Sequence, residues 1–402
     1  MYQPPAGARD LFPLEVAQKR WIEERLQQVF HRWGYHRIIT STLEHLDTLM
    51  AGGAVDRLSV IQVQNDGSES LGLRPELTAS IARAAVTRMA GVPHPIRLYY
   101  NSNVFLRAGK NTHNRQQEFF QAGVELLGAA GVGADAEVLL LLADGLRNLS
   151  LDAWHVVLGE AGLARSLLTP FPETIRATVR QAIAHLDRLA IENLPLSPEL
   201  RDRALLLLDL RGRPADVLQQ VSSLNLTEEQ RQIVNRLKSL VELLHDSGSI
   251  PNLTLDLSLV RTFDYYTGIV FEVVSESGQR ILAQGGRYDQ LLGLYHPQGQ
   301  THPGVGFVLN IEELHQTLLP TDQLPRQTPA IDWLVVPTTP QAYAAAFAHA
   351  QALRQSADLV RVEVELGQRQ SPEAVREYAR DRRVRHIVWM RAEGEPAIEA
   401  LT

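Results

Sequence analysis

Leu259 to Glu272 reads LVRTFDYYTGIVFE, and Ala283 to Gly293 reads AQGGRYDQLLG. Successive side chains of a strand alternate between faces. The first run is therefore expected to set Arg261 and Tyr265 on one face and Asp264 and Tyr266 on the other, a guanidinium, a carboxylate and two phenols within six residues. In the second run Gly285 and Gly286 permit close backbone approach beside Arg287, Tyr288 and Asp289. An ordinary hairpin with core tyrosines and a turn capped by Asp264 accounts for the first run alone. The two together suit a pocket for a small, charged, hydrogen-bonding ligand.

Both runs closely resemble the two histidine-binding signatures of histidyl-tRNA synthetases, and the resemblance extends over most of the chain. Pro5 to Asp10, PAGARD, is similar to that family's N-terminal PxGxRD segment. Gly34 to Glu44, GYHRIITSTLE, resembles class II motif 1, with Ser41 where proline is usual. Leu73 to Thr78, LRPELT, resembles the segment that holds the amino group of the bound amino acid, which implies that role for Glu76 and Thr78. FFQAGVE, Phe119 to Glu125, is similar to the segment carrying the HQFGVE pair, here Gln121 and Glu125. Four apart on a strand, these two share a face. Gly304 to Leu314, GVGFVLNIEEL, stands where motif 3 is expected.

The departures separate two functions. A class II synthetase needs arginines to neutralise the ATP phosphates during adenylation, and the motif 3 arginine is here Glu313. A unit-charge contact near 4 Å amounts to about 4 kcal/mol at an effective dielectric of 20, so reversing it is expected to cripple activation. The preceding motif glycine is Asn310. Motif 2, Leu106 to Phe119, keeps Arg107, Arg115 and the adenine-stacking Phe119 but has Gly109 where the family has glutamate. The histidine half survives better than the ATP half. This pattern resembles the non-catalytic paralogues of the family, the regulatory subunits of ATP phosphoribosyltransferase.

Composition is compatible with that reading. The chain has 402 residues, 45% hydrophobic and 21% charged, enough for a large core and two or three domains. No stretch approaches the roughly 20 apolar residues of a membrane span, and the N-terminal MYQPPAGARD lacks a signal-peptide pattern, so a cytoplasmic location is expected. Absence of cysteine removes disulfides, thiolate metal sites and cysteine nucleophiles. The 13 histidines show no HExxH-like spacing, so no metal is expected. A net charge of −7 argues mildly against a nucleic-acid surface. The densest basic stretch, Arg376 to Arg385, reads as a solvated helix face and turn.

The fold expected is α/β (α+β), a class II aminoacyl-tRNA synthetase-like antiparallel sheet flanked by helices. Residues 1–165 and 253–320 would form this core and 166–252 a helical insertion, with 330–402 a small C-terminal α/β anticodon-binding-like domain. Periodicity predicts a helix over 15–33 after the Pro13 breaker, strands over 96–105 and 118–127, a helix over 137–149 and a strand over 155–159. Helix starts are predicted at Ser197-Pro198-Glu199 and at the capping box Thr227 to Gln230. Pro320 to Pro329 reads as a linker. Beyond it, strands at 331–336, 360–364 and 386–390 alternate with helices at 340–356 and 371–382, which suggests a small parallel sheet. The chain is expected to lack the family's final strand and basic tail, which argues against anticodon recognition.

The resemblance implies a regulatory subunit without catalytic residues or cofactor. It would work with a short-form catalytic subunit in the first step of histidine biosynthesis, with L-histidine as feedback effector. It also implies a homodimer through the class II core, a hetero-oligomer, by analogy a hetero-octamer, and no tRNA. Glu76, Thr78, Gln121, Glu125, Arg261, Tyr265, Tyr266 and Tyr288 are the expected histidine contacts, and Arg107, Arg115, Phe119 and Glu313 mark the residual nucleotide site. The effector site could instead lie at a subunit interface. Alternative readings are a divergent histidyl-tRNA synthetase and a synthetase-like module that binds some other partner.

Overall fold

The computed structural model describes residues 4–53, 55–64, 69–107, 116–250, 252–259, 265–356, 359–369 and 371–401. The chain divides into two compact units, Met1–Pro325 and Arg326–Thr402.

The first unit is built on a nine-stranded sheet. Its strands run in the order His36–Arg37, Ile96–Phe105, Glu118–Leu127, Gly304–Asn310, Ile281–Arg287, Ile269–Ser275, Trp154–Glu160, Leu253–Asp256 and Arg211–Gly212. Most pairs are antiparallel, but His36–Arg37 joins Ile96–Phe105 in parallel, as Leu253–Asp256 joins Trp154–Glu160. The core sheet expected to be antiparallel is therefore mixed at these two pairs. The 166–252 stretch is likewise not wholly helical, because Arg211–Gly212 pairs with Leu253–Asp256 at the sheet edge. A strand of two residues is too short to leave a period-2 pattern.

Alternation along the central strands sorts the two faces. Ala122, Val124 and Leu126 pack against Ile22, Leu26 and Phe30 of the Pro13–Arg32 helix and Leu139, Leu142 and Leu146 of the Val132–Asn148 helix. Buried residues of the later helices, among them Val179, Leu207, Val221 and Leu237, join the same cluster. The odd positions of the Glu118–Leu127 strand turn the other way. On that face Leu127 packs with Tyr100, Tyr288, Leu291 and the Thr78–Thr87 helix.

Two helix starts differ from the sequence reading. Pro13 is the first residue of its helix, where its fixed φ is already helical and its missing N–H costs nothing. The Val132–Asn148 helix begins five residues before Glu137, since Gly131 at φ +83° makes the turn into it and the Gly-Ala-rich first turn hides the apolar period. Elsewhere the caps read from sequence are in place. Ser197 accepts from Leu200 N, and Thr227 and Gln230 complete a reciprocal capping box.

The second unit holds a four-stranded sheet in the order Val362–Val364, Trp333–Pro337, His386–Met390 and Ala397–Ala400. The first three strands are parallel. Beyond the three strands read from sequence, Ala397–Ala400 adds a fourth, pairing antiparallel with His386–Met390. Several arginines of the 376–385 stretch are occupied internally. Arg376 Nε donates to Glu399 at 2.7 Å, Arg382 pairs with Glu363 at 3.1 Å and Arg385 with Asp332 at 3.1 Å.

Candidate functional site

A cleft of about 220 Å³ opens on the odd-position face of the Glu118–Leu127 strand. Seven of the eight expected contact residues line it: Glu76, Thr78, Gln121, Glu125, Tyr265, Tyr266 and Tyr288. Arg261 and Asp264 lie outside the described residues, as do Gly109 and Arg115.

The strand alternation expected for the first tyrosines is corrected. Ordered strand begins only at Ile269, so Tyr265 and Tyr266 precede it and both face the cleft. Their rings lie 4.7 Å apart, and Tyr265 meets Tyr288 edge-on at 5.9 Å. The glycines make room for this wall. A Cβ on Gly286 would stand 2.7 Å from the Tyr266 ring, one on Gly304 2.3 Å from Tyr288, and one on Gly306 2.0 Å from Glu125 Oε2. Arg287, the guanidinium beside these residues, points elsewhere and is held by Asp135 and Asp289.

At the floor both oxygens of Glu125 are engaged. Thr78 donates to its Oε1 at 2.7 Å and Tyr288 to its Oε2. Burial pushes its carboxyl up to about 8, against the lowering hydrogen bonds from Tyr288 and Thr78, with Glu76 adding repulsion. Glu76 differs. Its Oε1 accepts from Ala79 N at 2.9 Å, while Oε2 is buried with no hydrogen-bond partner among the described residues. Burial raises its pKa as well, and burial is the main cause that holds the phenols of Tyr265, Tyr266 and Tyr288 protonated. The cleft is therefore rich in acceptors and hydroxyls, with one orphaned carboxylate oxygen suited to an N–H-bearing cation.

Sequence reasoning missed Tyr100, Gln284 and Phe307 in the lining. Tyr100 shares a face with Ile96 and Leu98 on its strand, a signal that marks the face without marking a site. It also missed Arg74, buried and donating to the carbonyls of Asn103, Thr40 and Ser41. That guanidinium ties the LRPELT segment to motif 1.

Among the described residues, the residual nucleotide positions Arg107, Phe119 and Glu313 do not come together as a phosphate cradle. Glu313 pairs with Arg280 at 2.7 Å. Asn310 caps the Ile311–Leu318 helix by accepting from Glu313 N at 3.2 Å, taking up an N–H that would otherwise be open to an anion. Arg107 is exposed, and Phe119 is partly buried against the apolar cluster beneath the cleft.

A family model for histidyl-tRNA synthetase matches residues 7–314. The chain is 65% identical to the ATP phosphoribosyltransferase regulatory subunit of Trichormus variabilis, with 100% of each chain covered. Among solved structures it is similar to an ATP phosphoribosyltransferase regulatory subunit/histidyl-tRNA synthetase from Bacillus halodurans C, with TM-score 0.82 and 26% identity over 98% of this chain and 99% of that one. The histidyl-tRNA synthetase of Nostoc sp. PCC 7120 shares the fold, with TM-score 0.78 and 19% identity over 100% and 97% of the two chains. The class II synthetase-like fold expected from the sequence is the one observed.

Proposed function

The chain belongs to the family of ATP phosphoribosyltransferase regulatory subunits, and from that premise we propose that it senses L-histidine in the cleft of Glu76, Glu125 and the three tyrosines. As a regulatory subunit it leaves catalysis to its partner. The observation that carries the histidine reading is the buried Oε2 of Glu76, which has no hydrogen-bond partner among the described residues. A ligand ammonium supplies the missing donor there, and Gln121 with the Tyr288–Glu125 pair offers hydrogen-bonding groups to an imidazole. Arg261 takes the ligand carboxylate.

The eroded ATP half supports a sensor over a synthetase, since the Glu313–Arg280 pair and the Asn310 cap stand against phosphate binding. Internal pairing of Arg376, Arg382 and Arg385 supports a chain that does not bind tRNA. The partner is a short-form catalytic subunit, which transfers phosphoribosyl to ATP and is shut down when histidine is bound, in a cytoplasmic hetero-octamer. Exposed Ile39 and Leu43 on the motif 1 segment support a homodimer through the class II core. Among the described residues no helix is long and apolar enough to cross a membrane. In domain terms, 1–165 with 253–320 is the synthetase-like core, 166–252 the insertion and 330–402 the anticodon-binding-like domain.

The test is turnover of phosphoribosyl pyrophosphate and ATP by the catalytic subunit, with and without this chain and histidine, beside histidine-dependent ATP–pyrophosphate exchange on the chain alone. Turnover that depends on this chain and is inhibited by histidine is expected, without exchange. Unchanged histidine sensitivity in both Arg261→Ala and Glu125→Ala would overturn the assignment of the cleft.

A further inference from the structure

Behind the tyrosine wall lies a larger cavity of about 660 Å³. The two share their partition: Tyr265, Tyr266 and Tyr288 face the cleft, while Thr267, Arg287 and Asp289, from the same two segments, face the cavity. Its other walls come from the Ala161–Leu167 and Glu228–Ser247 helices and the start of the Val132–Asn148 helix.

Most of its charged groups are engaged. Arg287 donates to Asp135 at 2.8 Å and to Asp289 at 3.0 Å, and Arg165 donates to the Tyr266 carbonyl at 2.6 Å. Glu160 is engaged by one oxygen only. At 7% exposure, it caps the Ala161–Leu167 helix through Oε2, which accepts from Leu163 N. Its Oε1 has no hydrogen-bond partner among the described residues. Burial pushes this carboxyl up to about 7; the Leu163 N–H, Arg236 and Arg165 lower it and Asp135 raises it further. Arg236, exposed on the rim, makes no ion pair among the described residues. The Val132–Asn148 helix presents its N-terminus to the cavity, and its N-cap, Gly131, offers no side-chain cap. A carboxylate oxygen open to the cavity, a rim guanidinium with no ion pair among the described residues and an uncapped helix start thus line one space. These fit the two ends of a zwitterion.

We propose that this cavity is a second ligand site, for a free amino acid whose ammonium sits on Glu160 Oε1 and whose carboxylate meets Arg236 and the first turn of the Val132–Asn148 helix. The proposal stands apart from the histidine reading of the cleft.

The test is calorimetric titration and thermal shift of the full chain with each proteinogenic amino acid, in the parent, Glu160→Gln, Arg236→Ala and Glu76→Gln. The expected result is at least one amino acid whose Kd rises about tenfold or more in Glu160→Gln and in Arg236→Ala, yet by less than about twofold in Glu76→Gln. Should Glu160→Gln fail to fold, Arg236→Ala on the exposed rim decides. The inference is overturned if no amino acid loses affinity in Arg236→Ala, or if all binding disappears with Glu76→Gln, which would mean a single site. Histidine binding indifferent to Glu76→Gln would sink the reading of the cleft and leave this one standing.

Discussion

Tyr288 and Glu125 meet at the floor of the cleft, the phenol donating to one carboxylate oxygen while Thr78 takes the other, and each is only 2% exposed. Glu125 lies on one strand and Tyr288 one residue past the end of another, Ile281–Arg287, that is not its neighbour. Glu125 pairs with Gly306, and Gly306 in turn with Gly286, two residues before Tyr288. The contact therefore spans the Gly304–Asn310 strand, possible because glycine leaves the space above that strand open.

Tyr288→Phe keeps the ring and removes the donor, so a buried carboxylate oxygen loses its partner. We expect destabilisation of about 1–3 kcal/mol in urea unfolding and weaker histidine binding. An unchanged unfolding midpoint would mean that water replaces the phenol at no cost.

The carboxyls give stability a sign with pH. Glu125, Glu76 and Glu160 all have folded pKa values raised above their ordinary range by burial, Glu125 to about 8 and Glu160 to about 7. The folded chain thus holds protons more tightly than the unfolded one, whose carboxyls titrate near about 4.3. Their contribution to stability is full below that value and is lost as pH rises through about 8. Without ligand, the urea midpoint should fall between about pH 5 and about pH 8, and Glu125→Gln should flatten part of the fall. Histidine should oppose it, because an ammonium favours the ionised carboxylates. Its binding near neutral pH should therefore release protons, measurable by calorimetry in buffers of different ionisation enthalpy.

The chemistry of this site was legible because its residues fall in two short, ordered motifs. What was not legible is direction. Alternation put Tyr265 and Tyr266 on opposite faces, yet neither lies in a strand, and once the ladder is absent the period-2 rule has nothing to act on. Arg287, in the same glycine run as Tyr288, turns away into an ion pair with Asp135, a residue 152 positions away whose placement no local pattern encodes. The hairpin strands Ile96–Phe105 and Glu118–Leu127 were readable to the residue. The strand Arg211–Gly212 was invisible, since two residues carry no period.

Gly306→Ala tests the shape of the cleft without touching a charge. The new methyl would fall 2.0 Å from Glu125 Oε2 and 2.4 Å from the Val124 carbonyl, which is backbone and cannot swing away. Overpacking of this kind typically costs about 1–3 kcal/mol. A lower melting temperature together with lost histidine binding is expected. Retention of full affinity would show that Glu125 has another position available and is not fixed by Gly306.

Glu313→Arg asks whether one charge separates this chain from a synthetase. The native carboxylate pairs with Arg280 at 2.7 Å, with the two side chains 40% and 34% exposed, so breaking the pair should cost no more than about 1 kcal/mol. The substituted arginine would face Arg280, and Asn310 would still cap the helix start that a phosphate needs. Glu313→Arg alone should therefore show no histidine-dependent ATP–pyrophosphate exchange and no thermal shift with MgATP. Adding Arg280→Ala and Asn310→Gly removes the opposing cation and uncaps the helix. A MgATP thermal shift should then emerge, still without exchange, because Gly109 leaves motif 2 without its glutamate. Exchange from Glu313→Arg by itself would place the whole loss of synthetase chemistry on one residue.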